Sequence, residues 1–416
     1  MGKEIIASYH HSYAGGSKNT SRLLNYLSQS GYSVDAFFFE RPQFFLYTSS
    51  NVKIHTLNSY SIHSEVIDSS AIKNYALANQ IFECIENNDK AILFGTNLFP
   101  YCDILHNVKS QLPISKQKKQ KLIIHPVGSD IWQIGPQIKS RVKWLLESPL
   151  VDSVITYSES FISEIRDYYN IRREIHAIPP VLEKEKFFVL SSEEKKLRRT
   201  LLFFQDSDFL IHHHSSMRKI KCPESVIDIA IKATECISNN CFLLMTGPIP
   251  FKVIANLKLT LINIGHESLF QYKTVLPNLT ILWTGVLSNV ENLLQISDVE
   301  INASLHDSFN ISLMEAMACG VPVISSDIVG INSHIMKSGG GFCFPTNKLN
   351  FDELNDLIST DRERNKHFDI DFAVDCLRSL AENKASAELM GRNGALYVSE
   401  EFSFKKVSDE FDKYIK

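Results

Sequence analysis

A chain of 416 residues is too long for one ordinary core and suits two domains of roughly 200 residues each. Hydrophobic residues at 44% and charged residues at 22% exclude a disordered or fibrous chain, and a formal net charge of -4 argues against a dedicated nucleic-acid binder, which is usually basic. The eight cysteines contain no Cys-x-x-Cys pair and read as free, mostly buried thiols of a reducing compartment.

The N-terminal run Met1–His11 is too short in apolar residues for a signal peptide, and Ile6 stands where a myristoylation start wants Ser or Thr. No stretch approaches the ~18 apolar residues that a membrane span needs. The expected location is cytoplasmic, with a peripheral position on the inner face of the membrane left open. Short apolar runs then alternate with amphipathic ones. Strands are predicted at Glu4–Tyr9, Ser33–Phe39, Lys90–Gly95, Lys121–His125, Ser153–Tyr157 and Ile175–Ile178, and helices at Ser17–Ser28, Ala71–Glu86 and Ser160–Tyr168. Such alternation predicts a parallel sheet with helices on both faces.

Pro179-Pro180 and the charged stretch Glu183–Lys186 read as a linker. A second series follows, with strands at Phe209–His213, Cys241–Thr246, Leu279–Trp283, Val299–Asn302, Val321–Ser325 and Gly341–Phe344. Its helices are predicted at Glu224–Ser238, Val290–Ile296 and Ile311–Cys319. The expected fold class is α/β, with two doubly wound, Rossmann-like units whose ligand crevices lie at the carboxyl ends of the strands and face a central cleft.

The densest chemical pattern runs from Ser304 to Gly330. A strand ends there, a turn follows, and a helix is predicted to start near Phe309 with Ser308 as its cap. A helix start exposes N–H groups and positive dipole, which suit a pyrophosphate or sugar hydroxyls. Glu315 falls about two turns after Asp307, and Gly320-Val321-Pro322 ends the helix. By spacing alone, an ordinary βαβ unit with surface acids is an equal reading.

The segment resembles the signature of the retaining GT-B glycosyltransferases of family 4, the glycosyl transferases group 1, in which a Glu, seven residues and a second Glu precede A-M-A-x-G-x-P-V-I. The resemblance implies that Glu315 binds the ribose hydroxyls of a nucleotide and Asp307 a hydroxyl of the donor sugar, with the backbone of Ser308, Phe309, Asn310 and Ile311 at the donor. Asp307 is one methylene shorter than the family's Glu, and Asn310 stands where the family prefers Gly. Ala14-Gly15-Gly16-Ser17 is similar to the family's glycine pair at the donor phosphates, which places Gly15 and Gly16 there. Lys221, and Arg218 before it, resemble the Lys and Arg that grip the donor diphosphate; a solvated basic turn is the plainer reading. His125, before Gly128-Ser129-Asp130, is similar to a family His near the sugar's C6 hydroxyl, although a structural histidine reads nearly as well. Leu197–Arg199, Leu243–Gly247, Trp283–Gly285, Leu293–Asp298 and Met390–Phe404 resemble further family segments. The last helix is expected to cross back to the first domain, giving domains 1–185 with 400–416, and 186–399.

His10 and His11 are available as a base for an inverting route, and His212, His213 and His214 have no metal-ligand spacing. The basic run Ser115–Lys121, with Lys139, Arg141 and Lys143 nearby, reads as a solvated loop or as a contact with an anionic membrane. Phe37–Phe39 and Phe44–Leu46 read as packing. The resemblance therefore implies retaining transfer of a sugar from a nucleoside diphosphate donor, UDP-linked by default. The acceptor would be a glycan, a lipid-linked, small-molecule or protein hydroxyl, in bacterial surface glycan, glycolipid or glycoconjugate synthesis, with no cofactor and no metal. The competing readings are a GT-B-like sugar-nucleotide epimerase and a catalytically idle relative that binds a glycan or a partner.

Overall fold

The computed structural model describes residues 4–9, 28–38, 52–56, 69–86, 91–96, 102–132, 136–265, 269–360 and 363–415. They form two units: Met1–Val181 with Phe404–Lys416, and Leu182–Ser403. The division thus falls just after Pro179-Pro180 and again before Phe404.

Unit 1 holds strands β1 (Glu4–Tyr9), β2 (Ser33–Phe38), β3 (Val52–Thr56), β4 (Ala91–Thr96), β5 (Lys121–His125), β6 (Ser153–Thr156) and β7 (His176–Ala177). They lie in the order β3-β2-β1-β4-β5-β6-β7, and all pairs are parallel. The interior strands are continuous apolar runs such as Leu122-Ile123-Ile124, because helices cover both faces and leave no polar side. The order reverses between β1 and β4, where a doubly wound sheet opens its crevice. Val34, Ala36, Ile92, Phe94, Ile123, Ile155 and Ile178 pack with Val407 and Phe411 of the C-terminal helix Phe404–Ile415. The Phe411 ring lies 5.7 Å from that of Phe94. That helix is therefore part of the unit 1 core, as the GT-B resemblance implies.

Unit 2 holds β8 (Phe209–His214), β9 (Cys241–Thr246), β10 (Ile262–Asn263), β11 (Tyr272–Val275), β12 (Leu279–Gly285), β13 (Val299–Asn302), β14 (Val323–Ser326) and β15 (Gly341–Phe344). The order is β10-β11-β12-β9-β8-β13-β14-β15. The strands from β12 to β15 repeat the doubly wound order in parallel, with the reversal between β8 and β13. The pair β10–β11 is an antiparallel addition at the edge. These short edge strands have no expectation in the sequence, because an edge exposed to water needs no continuous apolar run.

The helix Ile311–Ala318 is held by close backbone approach: a Cβ on Gly391 of the Lys384–Glu401 helix would lie 1.9 Å from the Gly320 carbonyl oxygen. The eight cysteines are free, five of them buried and Cys236 exposed. Among the described residues no helix is long and apolar enough to cross a membrane. The predicted helix Ser17–Ser28 falls almost wholly outside the described residues.

Candidate functional site

The reversal point of unit 2 gathers most of the sequence candidates. Leaving β8, the chain turns through Ser215–Arg218 and a short 3-10 helix, Lys219–Lys221; Cys222 at φ 40° then starts the helix Pro223–Thr234. Leaving β13, it runs through Ser304–Asn310 into the helix Ile311–Ala318. The Leu305 N–H donates to the Ile220 carbonyl at 2.9 Å and ties the two exits together.

On this tie Lys221 Nζ donates to the Asp307 carboxylate, an ion pair with both side chains largely shielded from water. Burial alone would raise the Asp307 carboxyl. The Lys221 charge and hydrogen bond, with the Phe309 N–H at 3.3 Å, outweigh it and hold the group below the usual carboxylate range. The Asp307 backbone bridges to Val329 in parallel register, and its carbonyl accepts the Gly330 N–H at 2.9 Å.

The predicted cap is corrected. The helix starts at Ile311, as the run Ile311–Cys319 predicts, and not near Phe309; the residue before it is Asn310 at φ 71°, ψ 82°. The bridge to Val329 keeps the chain extended through Asp307, so the turn into the helix falls three residues later. Only a residue tolerant of the left-handed region fits there, and Asn substitutes for Gly. Ser308 is buried, and the cap position falls on Asn310. Asn310 Oδ1 accepts from Ser312 Oγ at 2.7 Å and makes no side-chain cap bond. Phe309 is buried, edge-on to Phe402 at 5.3 Å between ring centroids. Glu315, on the second turn, is buried, with Oε2 3.7 Å from His214 Nδ1.

Arg218 is exposed, and its Nε donates to Ser216 Oγ at 3.1 Å. Among the matching segments, Arg199 is structural: it is buried, pairs with Asp298 at 2.6 Å, and donates to the Ile296 carbonyl.

In unit 1, His125 ends β5 and is 4% exposed. Its ring packs edge-on to Tyr157 at 4.6 Å and near Phe94 at 5.9 Å, and among the described residues neither nitrogen has a hydrogen-bond partner. Burial pushes its pKa down to about 3, so the ring is neutral. Asp130 is spent locally, accepting the Val127 and Gly128 N–H groups at 3.1 and 2.7 Å. Gly15, Gly16, His10 and His11 lie outside the described residues. Lys118 and Lys119 of the basic run are exposed, as is Ile114 just before it, whereas Gln120 is buried and accepts the Ala91 N–H.

Two groups at the reversal point went unmarked in the sequence, the ring of His214 beside Glu315 and the fully buried Glu300 on β13. A signal exists for Glu300, since a carboxylate inside Val299-Glu300-Ile301 demands a buried partner. Among the described residues no three His, Cys, Asp or Glu side chains group as a metal site.

Residues 252–369 match the family Glycosyl transferases group 1, a span that includes Asp307 to Glu315 but begins beyond Lys221. The chain is 22% identical over 296 residues to N-acetyl-alpha-D-glucosaminyl L-malate synthase of Bacillus anthracis, covering 70% of each. Its structure is similar to sucrose-phosphate synthase from Thermosynechococcus elongatus, with a TM-score of 0.69, 15% identity, and 99% and 98% of the two chains covered. It is also similar to HepE of Anabaena in complex with UDP and glucose, with a TM-score of 0.68, 14% identity, and 99% of each chain covered. The fold is that of the GT-B glycosyltransferases.

Proposed function

We propose that this chain, which carries a glycosyl transferases group 1 domain on a GT-B fold, moves a sugar from a nucleoside diphosphate donor to an acceptor hydroxyl with retention of configuration. The observation that carries the reading is the meeting of Lys221, Asp307 and the start of the Ile311–Ala318 helix at the reversal point of unit 2. A cation and the N–H groups of a helix start suit a diphosphate whose charge grows as the sugar departs. Lys221, with Arg218 from the same loop, neutralises the leaving group. Glu315 accepts the ribose hydroxyls. Asp307 already pairs with Lys221, so a donor diphosphate competes with this carboxylate for the cation.

His125, buried and neutral, keeps the sugar-hydroxyl role that the resemblance implies. The acceptor oxygen bonds to the anomeric carbon as the bond to the diphosphate breaks, and the departing phosphate takes the acceptor's proton. The reaction then needs no base side chain, no resident cofactor and no metal. The UDP and glucose held by the HepE structure support a UDP-linked sugar. The acceptor class remains a glycan, lipid-linked, small-molecule or protein hydroxyl of bacterial glycoconjugate synthesis. Exposed Ile114, Lys118 and Lys119 support a peripheral position on an anionic membrane surface on the cytoplasmic side.

The test is a screen of UDP-, GDP- and ADP-sugars for thermal stabilisation, followed by NMR of the product's anomeric proton from a donor of known configuration. A retained anomer is expected. An inverted product that depends on His10 or His11 overturns the mechanism, and the absence of any nucleotide effect overturns the reading itself.

A further inference from the structure

At the reversal point of unit 2 the strands β8 and β13 part early. Their backbone register covers only Val299↔Ile211 and Glu300↔His212, although β8 runs on to His214 and β13 to Asn302. Two side chains take over where the ladder stops. The Glu300 carboxylate accepts the His214 N–H on Oε1 at 2.9 Å, while its Oε2 accepts from His212 Nδ1 at 2.6 Å. His213 reaches the other way, its Nδ1 donating to the Ile301 carbonyl at 2.8 Å.

Both links are anchored further. His212 Nε2 hydrogen-bonds with Thr246 Oγ1 of β9 at 3.0 Å. His213 Nε2 accepts from Ser215 Oγ at 2.9 Å, and that oxygen accepts the Met217 N–H at 3.0 Å in the loop that leads to Lys221. The tautomer of His213 follows, because a carbonyl only accepts and so Nδ1 carries the proton. Burial lowers its pKa to about 4, in keeping with a neutral ring. Gly247, at φ 145°, lets the exit of β9 lie against the same loop: a Cβ there would meet the Ser215 carbonyl oxygen at 2.1 Å. Glu300, His212 and His213 are fully buried, so none of them serves solubility.

We infer that Glu300 and His213 are positioning residues that hold β8 and β13 apart at the crevice and set the loop carrying Lys221 at its working distance from Asp307. The inference rests on the donor site proposed above, and it adds a reason why that site is rigid. A strand pair that splays without such links leaves its freed N–H and carbonyl groups unsatisfied, at a cost that pulls the strands back together or loosens the loop. Here the His214 N–H and the Ile301 carbonyl have side-chain partners that are themselves held, so the opening is built in.

The test uses the full chain with Glu300→Ala, Glu300→Gln and His213→Phe. Gln still accepts the His214 N–H, and its amide donates to His212 Nδ1 once the imidazole proton sits on Nε2 and is given to Thr246 Oγ1, so it is the conservative rescue. Hydrogen–deuterium exchange and UDP binding are measured together, with KM for donor and acceptor. Glu300→Ala and His213→Phe are expected to raise exchange across 213–222 while unit 1 stays unchanged. Both should weaken UDP binding and raise donor KM at least fivefold with acceptor KM unmoved, and Glu300→Gln should stay within twofold of the parent. If Glu300→Ala does not fold, His213→Phe decides alone. Exchange across 213–222 equal to the parent's in a folded variant overturns the inference, and so does unchanged UDP affinity. A parent protein that binds no UDP or other nucleotide breaks the proposed function instead, while the exchange measurement still decides whether these side chains hold the loop.

Discussion

The two units share the order of their central parallel strands and treat their central histidines in opposite ways. In unit 1, His125 at the end of β5 is sealed between Phe94 and Tyr157 with both nitrogens unpaired among the described residues. In unit 2, His212 and His213 at the end of β8 use every nitrogen, on Glu300, Thr246, Ile301 and Ser215. An unsatisfied buried polar group costs roughly 1–3 kcal/mol, whereas a fully paired network fixes geometry. Unit 2 is thus built to hold a set of charges still, and unit 1 carries a polar group that stability does not explain.

The largest expected effects test the charges of unit 2. Lys221→Ala and Glu315→Ala should each lower turnover by about tenfold or more, ~1.4 kcal/mol of transition-state stabilisation, while circular dichroism reports an intact fold. Asp307→Ala should cost less than Glu315→Ala, because the shorter acid is engaged with Lys221. Equal losses would mean that Asp307 touches the sugar itself.

Acid stability sharpens the contrast next. His125 titrates near 3 and His213 near 4, both lowered first by burial, against about 6.5 in an unfolded chain. Between those values the unfolded chain binds the extra protons, so stability falls as pH drops below 6.5, by about 1.4 kcal/mol per pH unit for each proton. His125→Phe and His213→Phe should each flatten urea-derived stability between pH 6.5 and 4; an unchanged slope refutes the neutral assignment. At neutral pH the two should diverge. His125→Phe removes an unpaired group and should stabilise by up to ~1 kcal/mol, whereas His213→Phe breaks two bonds and should destabilise by ~1–3 kcal/mol. The smallest effect is none at all: with chelator present, turnover should hold, and restoration by magnesium or manganese of activity lost to chelation would sink the metal-free proposal.

Much of this was legible locally. The apolar runs of β4, β5 and β9 stand out because a strand covered on both faces is mostly apolar, whereas β8 and β13 carry buried polar groups that pair with each other. Pro179-Pro180 marks the junction because proline ends both helix and ladder. The stretch from Ser304 to Pro322 reads as a strand end, a turn and a helix, and its resemblance to the family 4 signature pointed to Glu315 and Asp307, while the resemblance of a separate loop pointed to Lys221. The edge strands β3, β10 and β11 did not stand out, since half-exposed short strands carry little pattern.

The alternating α/β plan, the two-unit division and the positions of the charged candidates followed from the sequence by itself, because periodicity, proline and glycine act on their own neighbours. Which groups meet was decided only by the tertiary structure. Lys221 and Asp307 stand 86 residues apart and Glu300 and His212 88 apart, and neither pair has any spacing of its own. The helix Phe404–Ile415 is assigned to unit 1 by Phe411 on Phe94. The cap moved from Ser308 to Asn310 because a bridge to Val329 keeps Asp307 extended. Each of these depends on a partner brought alongside by the sheet, and the sheet order exists only once the chain is folded.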